Sequence, residues 1–175
     1  GVSSRLDGAN ATIGESLVRF ATNAIVVKQL SLTSQDAVAA VDGLVYTGGW
    51  THHEEALLDC QSTLANSTVP NFILLITDGT PTRPENDPWG AGQTAATTVK
   101  NEGTIILPVF ISDNPSQNET DYLKSISSND TVQVFSSFND MNKDIAGVLV
   151  ESMCDFLPTT PTPSPTPPVS YRLVF

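Results

Sequence analysis

Two runs of almost continuous apolar residues constrain the fold of this 175-residue chain most strongly. Residues 71–77 read Asn-Phe-Ile-Leu-Leu-Ile-Thr, and residues 104–111 read Thr-Ile-Ile-Leu-Pro-Val-Phe-Ile. A strand that is covered on both faces is apolar throughout, whereas a strand with one wet face alternates. Helical patterns follow both runs. We therefore predict that the two runs are buried strands of a parallel sheet that lies between two helical layers. Pro108 inside the second run indicates a bulge or a bend.

Other segments extend this pattern. Residues 16–21 and 24–29 are predicted to be strands at hairpin spacing, which makes them an antiparallel pair. Residues 51–64 carry apolar side chains at helical spacing. Ser137, followed by Asp140 three residues later, resembles a capping box at the start of a final helix. We therefore predict an α/β fold with a doubly wound, mainly parallel sheet, one antiparallel edge strand and helices on both faces.

The charge balance limits the classes of partner. The chain has 19 Asp+Glu against 8 Lys+Arg, a formal net charge of −11. Nucleic acids and anionic membrane surfaces attract Lys and Arg, so this balance disfavours both. No run approaches the roughly 18 apolar residues that a membrane span needs. We therefore expect neither nucleic acid as a partner nor a membrane span.

The composition changes after residue 157. Residues 158–170 hold six of the twelve prolines, and proline removes backbone donors and fixes φ. We predict a folded domain over residues 1–157 and a Pro/Thr-rich linker or tail over residues 158–175.

Glycosylation signals and cysteines indicate whether the protein is located outside or inside the cell. Four Asn-x-Ser/Thr triplets fall in predicted loops or at element edges, where glycans must sit. They place candidate glycans on Asn10, Asn66, Asn118 and Asn129. They favour an extracellular or cell-surface location. Cys60 and Cys154 could form one disulfide, or each could be a buried thiol.

Two loops carry the candidate chemistry. Ligands of such folds bind at the carboxyl ends of the parallel strands. Asp78 directly follows the first apolar run, and a carboxylate buried there is costly unless something pairs with it. A divalent cation would satisfy it, and the hydroxyl of Thr51 could be a second oxygen ligand, of the kind that Mg²⁺ prefers.

Simpler interpretations stand beside that metal site. Asp78 could cap its turn, and Thr51 with Glu54 fits a capping box. His52 and His53 are interpreted as a solvated pair at a helix start, because adjacent helical residues do not face each other. Asp78 as the nucleophile of a phosphatase-like hydrolase is the best enzymatic alternative, although it lacks a second nearby carboxylate.

The order of these motifs resembles the von Willebrand factor type A (vWA) domain over about residues 10–157. Residues 16–22 resemble the second strand of that family, and residues 48–57 resemble its Gly-Gly-x-Thr-x-Thr-x-x-Ala-Leu motif. Residues 74–79 resemble its Ile-Thr-Asp-Gly strand end, and Met153-Cys154 resembles the end of its last helix. The resemblance implies a non-enzymatic adhesion or extracellular-matrix module that binds a protein ligand.

The same resemblance implies a metal-ion-dependent adhesion site with Thr51 and Asp78 among its five ligands. The other three come from an Asp-x-Ser-x-Ser motif after the first strand, and residues 1–15 contain neither that motif nor an apolar strand. We therefore expect an incomplete site that binds Mg²⁺ weakly or not at all, and a sheet that lacks its central strand. A metal-independent structural vWA module is the alternative. Cys154 would pair, by resemblance, with a cysteine ahead of the first strand.

Overall fold

The computed structural model describes residues 12–31, 34–64, 69–154, 156 and 170–174. Within these ranges the chain alternates strands and helices, with six strands and five helices. The strands are β1 (Thr12–Phe20), β2 (Ala24–Ser31), β3 (Asn71–Thr77), β4 (Thr104–Ile111), β5 (Gln133–Phe135) and β6 (Ser170–Val174). The helices are α1 (Ser34–Asp42), α2 (His53–Leu64), α3 (Pro88–Asn101), α4 (Gln117–Ile126) and α5 (Phe138–Cys154).

The six strands form one sheet in the order β2-β1-β6-β3-β4-β5. Edge strand β2 is antiparallel to β1, and every other neighbouring pair is parallel. The predicted hairpin and the two predicted buried strands are all present, which confirms the α/β fold class. Parallel strands that are joined by helices leave their carboxyl ends at one edge of the sheet.

The position of β6 is the main departure from the sequence-based expectation. Residues 170–174 were expected to belong to a linker or tail, yet they form a strand between β1 and β3. The exposed fractions of Leu173 and Val174 are 1% and 0%. The expectation of a sheet without a strand at this position is therefore wrong. A five-residue segment far along the chain supplies that strand, and the predicted boundary at residue 158 stays a prediction.

The sheet separates two apolar layers, and β6 contributes to both. Leu173 packs in a cluster with Phe72 and Leu107, which the α5 residues Met141 and Ile145 cover. Val174 lies in the larger cluster on the opposite face. Its other members include Leu57, Ile73, Val99, Phe110 and Leu123. Each β6 side chain that points into a layer removes apolar surface from water. This burial stabilises the fold by about 25 cal/mol per Å² of apolar surface.

Local signals explain most element boundaries. Helix α3 begins at Pro88, because the Asp87 carboxylate caps it by accepting from Gly90 N at 2.9 Å. Asp140 N donates to Ser137 Oγ at 3.2 Å, as predicted for the final helix. Pro108 causes no bulge, since β3 and β4 keep one register throughout. Pairing with β5 starts only at Val109, so Pro108 lies outside that ladder.

The described residues include only some of the predicted cysteine and glycosylation sites. Cys60 is a free, buried thiol on α2, and burial raises its pKa to about 12. A bridge between Cys60 and Cys154 is therefore not formed in this structure. Asn10, Asn66 and the side chain of Cys154 lie outside the described residues. No helix in the described ranges is long and apolar enough to cross a membrane.

Candidate functional site at the carboxyl edge of the sheet

The carboxyl edge gathers the turn after β1, the loop before α2 and the loop after β3. Trp50 N donates to Thr22 Oγ1 at 3.2 Å, and His52 Nδ1 lies 3.2 Å from Thr22 O. These contacts join the Gly48-Gly49 loop to the β1–β2 turn. Gly49 has φ +113° and approaches Thr22 so closely that a Cβ would lie 2.7 Å from its hydroxyl. Only glycine fits this position without strain.

Thr51 is held by its backbone against the loop that follows β3. Its carbonyl accepts from Thr82 N at 2.8 Å and from Arg83 N at 3.0 Å. Its own N–H donates to Thr82 Oγ1 at 3.0 Å. Helix α2 begins two residues later at His53, so the predicted capping box from Thr51 to Glu54 is not formed. Thr51 is thus fixed beside the loop of Asp78, with its hydroxyl free of a helix-capping role.

Asp78 lies where the sequence placed it, but its environment differs from the expectation. It directly follows β3, and its side chain is exposed to solvent rather than buried. An exposed carboxylate keeps its hydration, so burial alone does not require a cation to compensate it. The argument for a metal at Asp78 therefore depends on which oxygen ligands lie near it and not on a desolvation cost.

His53 is the residue that the sequence-based interpretation placed wrongly. Instead of being solvated, its side chain has an exposed fraction of 0%. Its Nδ1 lies 3.1 Å from the Tyr122 hydroxyl on α4, and its Nε2 lies 3.2 Å from Thr77 Oγ1 at the end of β3. The ring also stacks on Tyr122, with 5.7 Å between centroids. The apolar positions Ala56, Leu57 and Cys60, continued back by one turn, fall on His53, and this periodicity was the available signal.

The hydrogen bonds around His53 define its tautomer. Thr77 donates its single hydroxyl proton to Gly79 O at 2.7 Å, so His53 Nε2 must donate to Thr77 Oγ1. His53 Nδ1 then accepts from Tyr122. Burial, with a smaller contribution from the charge of His52, lowers the pKa of His53 to about 3. A neutral imidazole therefore supports the 77–79 turn, which carries Asp78, from inside the core.

An open cleft of about 520 Å³ adjoins this edge. Its walls come from the β1–β2 turn, His52 and residues 83–86. The Arg83 guanidinium lies 4.7 Å from the centre of the Trp50 ring and pairs with Glu85. Trp50 is exposed despite this contact. The cleft thus combines the Arg83 cation, the Glu85 carboxylate and the amide groups of Asn23 and Asn86. The exposed Trp50 ring lies beside it on Arg83, and aromatic and arginine side chains are enriched at protein-binding surfaces.

Helices α3 and α4 approach each other closely at Tyr122. This contact provides a test of the hydrogen bonds that join Tyr122, His53 and Thr77. A Cβ at Gly92 would lie 2.2 Å from the Tyr122 hydroxyl. We expect Gly92→Ala to lower the unfolding free energy by about 1–3 kcal/mol through overpacking, although alanine favours helix. Urea unfolding followed by circular dichroism measures it. Gln93→Ala, at the next and exposed helical position, is the matched control, and equal stability of the two variants would contradict the expectation.

The oxygen ligands that the described residues offer at this edge are of the type that a divalent cation binds, but they are too few to complete its coordination shell. A threonine hydroxyl and a carboxylate are oxygen ligands, as Mg²⁺ prefers, but two ligands leave most of an octahedral shell to water. No cluster of three or more His, Cys, Asp or Glu that could hold a metal occurs among the described residues. Thr51 and Asp78 can therefore be part of a metal site, and they do not form a complete one.

A family model described as the von Willebrand factor type A domain matches residues 1–148. No curated protein sequence matches the chain. Among solved structures, the vWF domain of the type V pili tip protein Mfa5 from Porphyromonas gingivalis has a TM-score of 0.74 at 11% identity. That match covers 92% of this chain and 87% of the other.

A second similar structure is proximal thread matrix protein 1 from the mussel byssus, with a TM-score of 0.66 and 22% identity. The match covers 79% of this chain, which spans about a third (34%) of the length of the mussel protein. The same protein is also known with a zinc-occupied MIDAS motif, at 21% identity and a TM-score of 0.66. At such identities the likeness shows the fold alone.

Proposed function

Because the chain belongs to the von Willebrand factor type A domain family, we propose that it is a non-enzymatic protein-interaction module of the adhesion or extracellular-matrix type. Its ligand would bind at the carboxyl edge of the sheet. The observation that carries the proposal is the tethering of Thr51 to the loop of Asp78 through Thr82 and Arg83. The similar pilus-tip and byssus-matrix proteins support an extracellular or cell-surface setting.

The proposed chemistry of the edge is recognition and not turnover. Thr51 and Asp78 would hold a divalent cation together with oxygen ligands from elsewhere, and an acidic group of the protein ligand would complete the shell. The adjoining cleft, with Trp50 and Arg83, would contact the ligand beside that ion. The hydrolase alternative has no comparable support, since Asp78, the nucleophile that it would need, is exposed to solvent.

Retention on immobilised fibrillar collagen and fibronectin tests this function. The proteins are made in bacteria, because Asp78→Asn creates an Asn-Gly-Thr glycosylation triplet. We expect the chain to bind at least one of these surfaces, and Asp78→Asn to weaken that binding about tenfold or more. Asp121→Asn, an equally isosteric change of an exposed acid on α4, is the matched control and should leave binding unchanged. Retention that EDTA abolishes would favour a metal-dependent ligand site. Absence of retention, or equal retention by both variants, would favour the structural module instead.

The incomplete ligand set predicts weak metal binding by the chain alone. We expect calorimetric titration with Mg²⁺ to show no binding in the micromolar range, because two protein oxygens replace few of the six hydration waters. The titration is repeated on Asp78→Asn to identify any residual heat from this edge. A micromolar Kd that Asp78→Asn removes and Asp121→Asn retains would contradict the expectation of an incomplete site.

The proposed extracellular location predicts glycans at the two sequons in the described residues. Asn118 is exposed on the first turn of α4, whereas Asn129 is half-buried and its Oδ1 accepts from Ser127 and Thr131. After secretion from a eukaryotic cell, we expect glycosidase treatment to convert Asn118 to Asp in most molecules, and Asn129 in fewer. Mass spectrometry of the peptides measures this. Asn114, followed by Pro115 and Ser116, is the internal control that should stay unmodified.

A further inference from the structure

We propose that β6 exchanges between copies of this chain, so that the slot between β1 and β3 accepts residues 170–174 of a second copy. This inference does not depend on the metal site or on the ligand of the carboxyl edge. It assigns one occupant to the slot, which is the β6 segment itself, carried either by the same molecule or by its neighbour.

The slot is built to accept one short extended segment. β6 pairs in parallel with β1 over five residues and with β3 over three. Within the described residues, no other strand connects β1 to β3. Leu173 and Val174 enter opposite core layers, and both are fully buried. A segment from a second copy would make the same contacts, so exchange preserves the native interactions.

The connection to β6 favours exchange. Phe156 packs against the same apolar cluster as Leu173. Residues 157–169 contain six prolines among thirteen residues. A polyproline-type segment of thirteen residues extends about 40 Å, at about 3.1 Å per residue. A sequence with this preference for extended conformations suits a β6 segment that reaches the slot of a second molecule.

The balance between the two arrangements depends on concentration. Because the contacts are identical, the strand of a second copy competes with the tethered strand according to the effective concentration of the tether. Short flexible linkers give effective concentrations of about 1 mM, and a linker whose length does not match the span gives less. Exchange should therefore increase as the refolding concentration rises from micromolar towards millimolar values.

Two full-length variants detect exchange specifically. One carries Asn71→Cys, the other carries Arg172→Cys, and both carry Cys154→Ser. Residues 71 and 172 are register partners, and Arg172 N donates to Pro70 O at 3.2 Å. Neighbouring strands lie about 4.8 Å apart, within the range of about 4.4–6.8 Å between the Cα atoms of a disulfide. Cys60 is buried, so it does not compete. The variants are unfolded, mixed, refolded together and oxidised.

We expect a disulfide dimer that contains one copy of each variant, in at least fivefold greater yield than from the matched pair Lys143→Cys and Arg172→Cys. The yield should rise with the refolding concentration. A chain that carries both Asn71→Cys and Arg172→Cys reports insertion into its own slot. If that chain closes its own disulfide while the mixed pair gives no more dimer than the control at any concentration, exchange is refuted. Failure of both reactions would refute the placement of β6 itself and the proposal with it.

Discussion

Replacing Val174 with aspartate is expected to lower the unfolding free energy by about 4 kcal/mol or more. Val174 has an exposed fraction of 0% and pairs with Ser16 on one side and Ile73 on the other. A carboxylate at this position would be buried without a partner. The loss is comparable with the whole stability of a typical domain, about 5–15 kcal/mol.

Urea unfolding followed by far-ultraviolet circular dichroism measures this effect. Arg172→Gln is the matched control, because Arg172 lies two residues earlier on the same strand and is only half-buried. The control should change the unfolding free energy by no more than about 0.5 kcal/mol. If Val174→Asp were as stable as Arg172→Gln, the segment would be a dispensable tail, as its sequence alone suggests, and β6 would not belong to the sheet.

Acidification is expected to destabilise the protein through His53. The pKa of His53 is lowered to about 3 in the folded state, against 6.5 for an unperturbed histidine. Between these two values the unfolded chain binds a proton that the folded chain does not, so the unfolding free energy falls as the pH falls. The contribution lost between pH 7 and pH 4.5 is roughly 2–3 kcal/mol, at about 1.4 kcal/mol per pH unit.

Comparing the unfolding free energies of the unaltered protein and of His53→Gln separates the contribution of His53 from that of the carboxylates. His53→Gln removes the titrating group, so its unfolding free energy should depend less steeply on pH between 7 and 4.5, although its stability at pH 7 is lower. His52→Gln, at the adjacent position, should retain the steep dependence. Urea unfolding at intervals of half a pH unit measures all three proteins. Parallel curves for the unaltered protein and His53→Gln would contradict a buried neutral imidazole.

Short-range and periodic signals predicted most of the fold. The uninterrupted apolar runs at 71–77 and 104–111 required strands with two covered faces, and both occur at the predicted residues. The hairpin of β1 and β2 followed from alternation and a short turn. The start of α5 followed from Ser137 and Asp140, whose contact depends only on residues three apart. In each case the decisive interaction is local, so the sequence contains it directly.

The candidate site was predictable in position and not in environment. The carboxyl edge, Thr51 and Asp78 followed from motif order, because strand ends define where loops converge. The exposure of Asp78, the tie from Thr51 to Thr82, and the contact of His53 with Tyr122 did not. These depend on how the 77–83 loop folds over the sheet and on the approach of Tyr122, 69 residues away from His53. The helical periodicity of Ala56, Leu57 and Cys60 indicated that His53 lies on the buried face of its helix. No local pattern indicated its contact with Tyr122.

The sequence by itself therefore determined the types of most elements, their order and the edge of the sheet near which Thr51 and Asp78 lie. Only the tertiary structure decided which segment fills the slot between β1 and β3. A five-residue strand has almost no sequence signal of its own, and six prolines before it indicate a tail. Its role arises because two parallel strands leave unpaired hydrogen-bonding groups and two open apolar layers between them. Residues 170–174 pair with five residues of β1 and three of β3, and Leu173 and Val174 each enter one of the two layers.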